Sequence, residues 1–255
     1  MLSKLRFNTV VGKKIVMAIT GLALCVFLVG HLAGNLLLLW GKDKFNAYAA
    51  FLTPLPILPI IQLGLLAILL FHVIDALVLV KGNYEARPIP YQSKKWGRSK
   101  SKKSKKTWAS TFMMWSGIII LLFIVFHIWH FKYHNPVASE PIGNGHNPNV
   151  VVGVSGANVG VSGSTSGENS GKEAFDLAQL VVNEFQNPIV AGIYILSMIV
   201  LGLHLYHAVS SAFTSLGANH PRYQKGLMWF GNIFTFVICG GFAAIPLLIL
   251  FKVVK

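Results

Sequence analysis

Five long apolar stretches dominate this sequence and limit what it can fold into. The first of them includes Val16–Trp40, which contains no charged residue, and about 20 apolar residues are enough for a helix to cross the hydrocarbon core of a bilayer. We therefore predict an all-α membrane protein whose residues 1–255 form a single transmembrane domain of five helices. The predicted spans cover about 14–40, 57–81, 108–131, 187–212 and 227–251.

The composition agrees with a membrane protein and argues against a nucleic-acid-binding one. Only 12% of the residues are charged, whereas a soluble domain carries roughly 25%. The net charge of +14 would suit a nucleic-acid partner, but the Lys and Arg residues lie mostly between the apolar stretches. That placement is typical of charges that orient a protein in a membrane, so we expect no nucleic-acid partner.

The basic residues are concentrated on one side of the membrane. Of the 22 Lys and Arg, 16 precede the first span, connect the second span to the third, or connect the fourth to the fifth. Cytoplasmic loops carry such an excess, so we predict a cytoplasmic N-terminus and a C-terminus outside. The lysine-rich run 94–106 could also contact anionic membrane lipid.

The connection 132–186 is the longest one and is predicted on the outer face. Its middle is rich in Gly, Ser, Asn and Val, which is typical of a flexible loop, although an irregular β excursion fits the same residues. We interpret residues 135–172 as the flexible loop. The apolar residues between Phe175 and Phe185 predict a short helix at the membrane surface, and the prolines within 54–59 would end another short helix in the first outer loop.

Each of the first four spans carries a histidine deep inside its apolar run, and these are His31, His72, His127 and His204. An ionisable side chain inside a membrane is a functional candidate by default. The alternating direction of the spans places His31 and His127 in the outer half and His72 and His204 in the inner half. The four residues thus form two pairs at matching depth, and each pair comes from two different helices.

Two imidazoles from different helices at one depth are suitable axial ligands for a haem iron. Helix bundles often hold cofactors between inward-facing side chains, and ligation by two histidines leaves no open position on the iron, so it suits electron transfer. A backbone carbonyl one turn earlier could hold the second nitrogen of each ring. Two such haems would be b-type, because neither Cys25 nor Cys239 lies in the C-x-x-C-H motif of covalent haem attachment.

Other interpretations stay open from the residues alone. The histidines could be satisfied by hydrogen bonds between helices, or they could relay protons in a haem-free transporter, although no inverted repeat is found. His130 follows His127 by three residues and His207 follows His204 by three, so each neighbour shares roughly the same helix face. Asp75 is the one acid well inside a span, and it could bond a quinone, relay a proton, pair with a basic group at the inner surface or face water.

Polar residues near the ends of the spans could bind haem propionates, although such residues more often snorkel at the interface. They are Lys13, Lys14, Arg87 and Tyr91 at the inner margin and Lys42, Lys44 and His134 at the outer margin. Asn35 lies one turn after His31 and could bond across helices.

Several segments together resemble the two-haem cytochrome b subunit of succinate:quinone oxidoreductases. They are GKKIVMAITGLALCVFLVGHLAGN with FNAYAAFL, then FHVIDALVLV, FHIWHF and LGLHLYHAVSSAFTSLGANHPRY. The resemblance covers nearly the whole chain apart from the Gly/Ser-rich loop. Its specificity comes from the ordered set of four histidines at matching places in five spans.

The resemblance implies which histidines hold which haem. His31 and His127 would ligate a distal haem near the outer face, and His72 and His204 would ligate a proximal haem near the inner face. The family's third-span ligand is the first histidine there, which favours His127 over its neighbour His130. The distance to the end of the fourth span favours His204.

The resemblance also implies partners and a substrate. A flavoprotein subunit and an iron–sulfur subunit would dock on the cytoplasmic face of a bacterial cytoplasmic membrane, and the substrate would be a quinone, usually menaquinone in the two-haem form. The chain has no flavin, dinucleotide or iron–sulfur motif, so it would be an electron-transfer subunit and no enzyme on its own.

One departure from the family bears on the direction of the reaction. Some fumarate reductases have a glutamate two residues before the fourth-span ligand, and this chain has Gly202 there, which favours succinate oxidation. A cytochrome b anchor of a hydrogenase or of a formate dehydrogenase is the alternative within electron transfer.

Overall fold

A computed structural model describes residues 9–86, 111–134, 152–155, 158–161, 176–218 and 220–254. Within these residues, five helices are long and apolar enough to cross a membrane. This confirms the predicted all-α membrane fold.

The helices follow one another along the chain with short connections where both ends are described. They are α1 (Val10–Leu36), α2 (Lys42–Leu52), α3 (Leu58–Glu85), α4 (Met113–Ile128), α5 (Leu177–Gln186), α6 (Pro188–Ser215) and α7 (Pro221–Leu250). A 3₁₀ turn, Leu37–Trp40, extends α1, and a π-helical turn, Trp129–His134, extends α4. The candidate spans are α1, α3, α4, α6 and α7 with these extensions.

The helices begin and end at residues with a clear local preference. Pro188 and Pro221 are the first residues of α6 and α7, where the missing proline N–H has no intrahelical partner to lose. At the end of α6, Gly217 has a φ of 101°, and the next N–H, that of Ala218, donates to the carbonyl of Phe213 at 3.0 Å. This closing turn is favourable for glycine because its positive φ costs no Cβ clash.

The observed bounds of the spans differ from the predicted bounds mainly at the polar ends. α7 begins at Pro221 rather than at 227, and α3 continues to Glu85 rather than stopping at 81. Hydropathy marks only the apolar part of a helix, whereas hydrogen bonding continues into the flanking polar residues. The predicted start of the third span, 108, lies outside the described residues.

Both predicted short helices are found, as α2 and α5. In α5 the apolar side chains are covered by protein, since Leu180, Val182 and Phe185 are buried. The sequence predicted a helix at the membrane surface, but the pattern alone does not tell whether protein or lipid covers the apolar face.

Part of the outer connection forms a hairpin. The strands β1 (Val152–Ser155) and β2 (Asn158–Val161) pair antiparallel. A β excursion, one of the two interpretations of this segment, is therefore found for these two strands. The other residues of the predicted flexible loop, 135–172, lie outside the described residues.

The described residues belong to two compact units, and each long helix supplies residues to both. The first unit draws on 1–28, 64–121 and 197–239, and the second unit draws on 29–63, 122–196 and 240–255. Buried residues of the first unit include Ala18, Leu205, Val209 and Ile238. The core of the second unit surrounds α5 and contains Leu38, Phe45, Ala178, Val181, Val182, Phe185, Tyr194, Ile245 and Ile249.

Candidate functional site

His31 on α1 and His127 on α4 come together in the second unit. Their ring centres are 5.9 Å apart and their ring planes stand at 81°. A metal–imidazole bond is about 2.0 Å long and the ring centre lies roughly 1.1 Å beyond the nitrogen, so two ligands on opposite sides of one metal have ring centres about 6 Å apart. This separation is that of an edge-to-face ring contact, and it is close to the spacing of two ligands on one metal ion.

His72 on α3 and His204 on α6 both lie in the first unit. His72 Nδ1 lies 3.1 Å from Thr20 Oγ1 on α1. His204 Nδ1 lies 3.0 Å from Ser116 Oγ on α4. The histidines that the sequence groups by depth are thus found as one pair in each unit.

The two hydroxyls indicate which nitrogen of each of these two imidazoles carries the proton. Thr20 Oγ1 donates to the carbonyl of Val16 at 2.8 Å, and Ser116 Oγ donates to the carbonyl of Met113 at 3.0 Å. A hydroxyl has a single proton, so each oxygen accepts from the imidazole Nδ1–H. Nε2 then keeps its lone pair, and neutral imidazole in this form is a metal ligand.

This arrangement differs from the predicted one, in which a backbone carbonyl one turn earlier would hold the imidazole directly. Here the carbonyl one turn earlier accepts from a hydroxyl on its own helix, and the hydroxyl accepts from the imidazole of another helix. Carbonyls of an α-helix point along their own helix, whereas a side-chain hydroxyl projects from it toward a neighbouring helix.

Each of these hydroxyl residues is followed by a glycine, and we call Thr20–Gly21 and Ser116–Gly117 the hydroxyl–glycine pairs. A Cβ built on the first glycine would lie 3.2 Å from His72 Cε1, and one on the second glycine would lie 3.7 Å from His204 Cε1. The first distance is tighter than an ordinary van der Waals contact, and the second is ordinary. Gly21 therefore lets the imidazole of His72 lie against the backbone of α1, whereas the imidazole of His204 would leave room for a Cβ at position 117.

In the second unit, a longer chain of hydrogen bonds leads away from His127. Its Nδ1 lies 3.2 Å from the Tyr194 hydroxyl on α6. The same hydroxyl lies 3.0 Å from His130 Nδ1, and His130 Nε2 lies 2.9 Å from Glu184 Oε2 on α5. We call Glu184, His130 and Tyr194 the outer hydrogen-bond chain.

The outer hydrogen-bond chain bears on the choice between His127 and His130. His130 is 4% exposed, and both of its ring nitrogens are engaged. Within the part of the chain that the structure describes, Nε2 of His127 forms no hydrogen bond. The geometry therefore favours His127 as the metal ligand.

Aromatic rings surround this chain. The ring centre of Tyr194 lies 5.1 Å from that of Phe123, 5.8 Å from that of Phe131 and 4.9 Å from that of Phe185. Phe126 stacks on His130 with ring centres 5.2 Å apart. Such a shell keeps water away and strengthens the hydrogen bonds inside it.

In the fourth span, the structure gives less evidence for choosing between His204 and His207 as the ligand. The ring of His207 forms no hydrogen bond with any described residue, whereas His204 is held by Ser116. The choice of His204 stays a prediction that this contact supports. At Gly202 an added Cβ would lie 3.7 Å from Cys239 Sγ and 3.9 Å from Thr235 Cγ2, so the position has room for a methyl group.

Asp75 has one carboxylate oxygen, Oδ2, that is buried and has no hydrogen-bond partner among the described residues. Its neighbourhood on α1 includes Lys13 and Met17. The carboxylate therefore has a basic residue of α1 in its neighbourhood, and its role stays a prediction.

Of the other polar candidates, Lys14 and Lys44 are exposed, some are engaged in hydrogen bonds, and some lie outside the described residues. Lys42 Nζ donates to Gln179 Oε1 on α5. Asn35 Nδ2 donates to the carbonyl of His31 at 2.8 Å, so the predicted bond across helices is replaced by one within α1. Arg87, Tyr91 and the side chain of His134 lie outside the described residues.

Several residues of the site were missed by sequence reasoning. They are Thr20, Gly21, Ser116, Gly117, Glu184 and Tyr194. The hydroxyl–glycine pairs carry a signal that could have been found, because each places a hydroxyl residue directly before a glycine inside a largely apolar span. Glu184 and Tyr194 carry no such signal.

The donor set fits a haem better than a metal ion held by protein alone. Within the described residues, no group of three or more His, Cys, Asp or Glu side chains could hold a metal ion. A haem supplies four of the iron ligands itself, so it requires only two histidines. Comparison with known protein families, with curated proteins and with solved structures found no match.

Proposed function

We propose that this chain is the two-haem cytochrome b subunit of a succinate:quinone oxidoreductase. The observation that carries the proposal is the arrangement of the four span histidines in two pairs, one pair in each unit. In three of them, His72, His127 and His204, Nδ1 is bonded to a hydroxyl. This leaves Nε2 for iron, as in metal sites where the other ring nitrogen is held by a neighbouring group.

In this proposal, His31 and His127 hold the distal haem, and His72 and His204 hold the proximal haem. A b-type haem supplies reversible exchange of one electron when bound. The hydroxyls of Thr20, Ser116 and Tyr194 orient the imidazoles and fix their tautomers. The apolar helices exclude water from the ligands.

The proposal extends to orientation and partners. The N-terminus would lie in the cytoplasm of a bacterium and the C-terminus outside its cytoplasmic membrane, because the basic residues are concentrated on one side. A flavoprotein subunit and an iron–sulfur subunit would dock on the cytoplasmic face. Electrons from succinate would pass through the haems to menaquinone, and Gly202 favours this direction over fumarate reduction.

The first experiment is a reduced-minus-oxidised visible spectrum of the purified protein together with a pyridine haemochrome assay. We expect the spectrum of b-type haem and two haems per chain. Freshly extracted protein without haem would overturn the proposal and would favour the proton-relay transporter. Co-purification with hydrogenase or formate dehydrogenase subunits, instead of a flavoprotein and an iron–sulfur protein, would identify the alternative anchors.

Substitution of the histidines tests the ligand assignment. We expect His31→Ala, His72→Ala, His127→Ala and His204→Ala each to lose one haem. The neighbouring variant His207→Ala is the matched control and should keep two haems, whereas His130→Ala, which cuts the outer hydrogen-bond chain, should keep the distal haem but change its potential. Loss of a haem in either neighbouring variant, with retention in the paired ligand variant, would exchange the two assignments.

A further inference from the structure

We propose that Glu184 is a positioning residue that acts through His130 and Tyr194 to strengthen the donation of His127 to the distal haem iron. The inference rests on the proposed function, because it requires haem at this histidine. It assigns a role to the outer hydrogen-bond chain, whose members do not contact the iron themselves. The four side chains come from α4 with its π-helical turn, from α5 and from α6, and all lie in the second unit.

The protons of the chain have a single consistent direction when His130 is neutral. A carboxylate can only accept, so His130 Nε2 donates to Glu184. The other nitrogen of a neutral imidazole is an acceptor, so the Tyr194 hydroxyl donates to His130 Nδ1. The Tyr194 oxygen then accepts from His127 Nδ1–H.

This direction gives His127 the tautomer that binds iron, because its Nε2 keeps the lone pair. Each bond in the chain pulls a proton toward the carboxylate, and hydrogen bonds in series polarise one another. The Nδ1–H bond of His127 is thereby weakened and its ring becomes a stronger donor, as in carboxylate–histidine–metal arrangements. The charge of Glu184 thus acts on His127 through the hydrogen bonds of His130 and Tyr194, although the carboxylate does not itself bond to His127.

Burial makes the effect specific to this path. His130 is 4% exposed and Tyr194 is 6% exposed, and aromatic rings pack around both. The side chain of Glu184 is 23% exposed, so the carboxylate lies at the margin of this apolar region. His72 and His204 differ, because their hydroxyl partners donate to backbone carbonyls, which carry no net charge.

A stronger donor stabilises ferric over ferrous haem and lowers the reduction potential. Removing the carboxylate should therefore raise the midpoint potential of the distal haem. Partners of metal ligands typically change metal affinity by 10–100-fold. A tenfold change in the ferric-to-ferrous affinity ratio corresponds to about 59 mV for one electron.

The test is a potentiometric titration of the purified haem-loaded protein in four forms: wild type, Glu184→Gln, Tyr194→Phe and the double variant. The distal haem is identified as the one lost in His127→Ala. We expect Glu184→Gln to raise its midpoint potential by about the tenfold equivalent, while the proximal haem stays unchanged. In the Tyr194→Phe background the same substitution should add little, because the path is already cut.

A matched control is Glu85→Gln, which removes an equal charge from an exposed ion pair with Lys81 in the first unit and should shift neither haem. If Glu184→Gln does not retain both haems, Glu184→Asp is measured instead, and we expect a smaller rise because the carboxylate is withdrawn from His130. An unchanged distal potential overturns the inference. An equal rise with and without the Tyr194 hydroxyl also overturns it, because the charge would then act through space. Wild-type protein without haem would instead overturn the proposed function.

Discussion

At the residue scale, the inner histidines depend on small side chains of neighbouring helices. Thr20 and Ser116 each donate a hydrogen bond to a backbone carbonyl and accept a hydrogen bond from an imidazole. Without the hydroxyl, a buried Nδ1–H would have no acceptor, and leaving such a group unpaired costs about 1–3 kcal/mol.

Removal of these hydroxyls should weaken the retention of one haem. We expect Thr20→Val and Ser116→Ala to lower the apparent affinity of the proximal haem by roughly 10–100-fold, since the imidazole loses the bond that fixes its tautomer. The measurement is haem transfer to apomyoglobin, followed spectroscopically. Thr214→Val is the control, because the Thr214 hydroxyl donates to the carbonyl of Ser210 and has no imidazole partner. Equal affinities in all three variants would contradict the role of the hydroxyls.

The two glycines next to these hydroxyls should differ in their tolerance of a methyl group. In Gly21→Ala the new Cβ would lie 3.2 Å from His72 Cε1, so the imidazole must move, whereas in Gly117→Ala the contact with His204 would be 3.7 Å. We expect less than the full haem content, by pyridine haemochrome assay, in Gly21→Ala only. A loss confined to Gly117→Ala would show that the helices are spaced differently.

The sequence predicts the histidines of the site but not their partners. Histidines stand out because an ionisable residue inside an apolar span is rare. Their hydrogen-bond partners lie 52 residues away for His72 and 88 residues away for His204. A spacing rule along one helix does not reach across such separations, since helix packing decides which faces meet.

At the element scale, the short helix α5 connects the outer hydrogen-bond chain to the core of the second unit. Asp176 accepts from the backbone N–H of Gln179 at 2.9 Å, which caps the helix, and from Asn46 Nδ2 of α2 at 2.7 Å. The α5 side chains Val182 and Phe185 pack in the core. Loss of the cap should therefore lower the stability of the second unit and not only that of α5.

Asp176→Ala should lower the thermal stability of the protein. A lost N-cap costs about 1 kcal/mol, and the bond to Asn46 is lost as well. We expect the Tm, followed by circular dichroism in detergent, to fall by roughly 2–4 °C or more. Asn183→Ala on the exposed side of α5 is the matched control and should leave the Tm nearly unchanged, because it removes only an exposed bond to Gln179. Equal Tm values for the two variants would speak against a role for the cap.

The elements themselves were largely predictable, and their environment was not. The length of the apolar stretches predicted the five spans. The prolines predicted the end of α2, and the spacing of the apolar residues predicted α5. The π-helical turn that contains His130 was not predicted, because a single added residue per turn leaves no mark on the apolar pattern. The cover of α5 by protein was also not predicted, because lipid and protein interiors select the same apolar residues.

At the scale of the whole molecule, the distribution of charge predicts the orientation. Alkaline phosphatase fused after Lys255 should be active and green fluorescent protein at the same place should be dark, since we expect the C-terminus outside the cytoplasm. Fusions within the connection between α6 and α7, which follows Gly217, are the control and should give the opposite pattern. The same result at both positions would show that the number of membrane crossings between them is even.

The hydroxyl–glycine pairs have a consequence for recognising similar sites in other sequences. Overall similarity fades quickly in membrane helices, because many apolar residues are interchangeable there. A Thr-Gly or Ser-Gly dipeptide in one span and a histidine in another provide a hydroxyl and the imidazole that bonds to it. This combination can be found whatever the surrounding residues are. Chains with two such combinations can be selected on that criterion and screened by colour, since a bound haem makes the membranes visibly red.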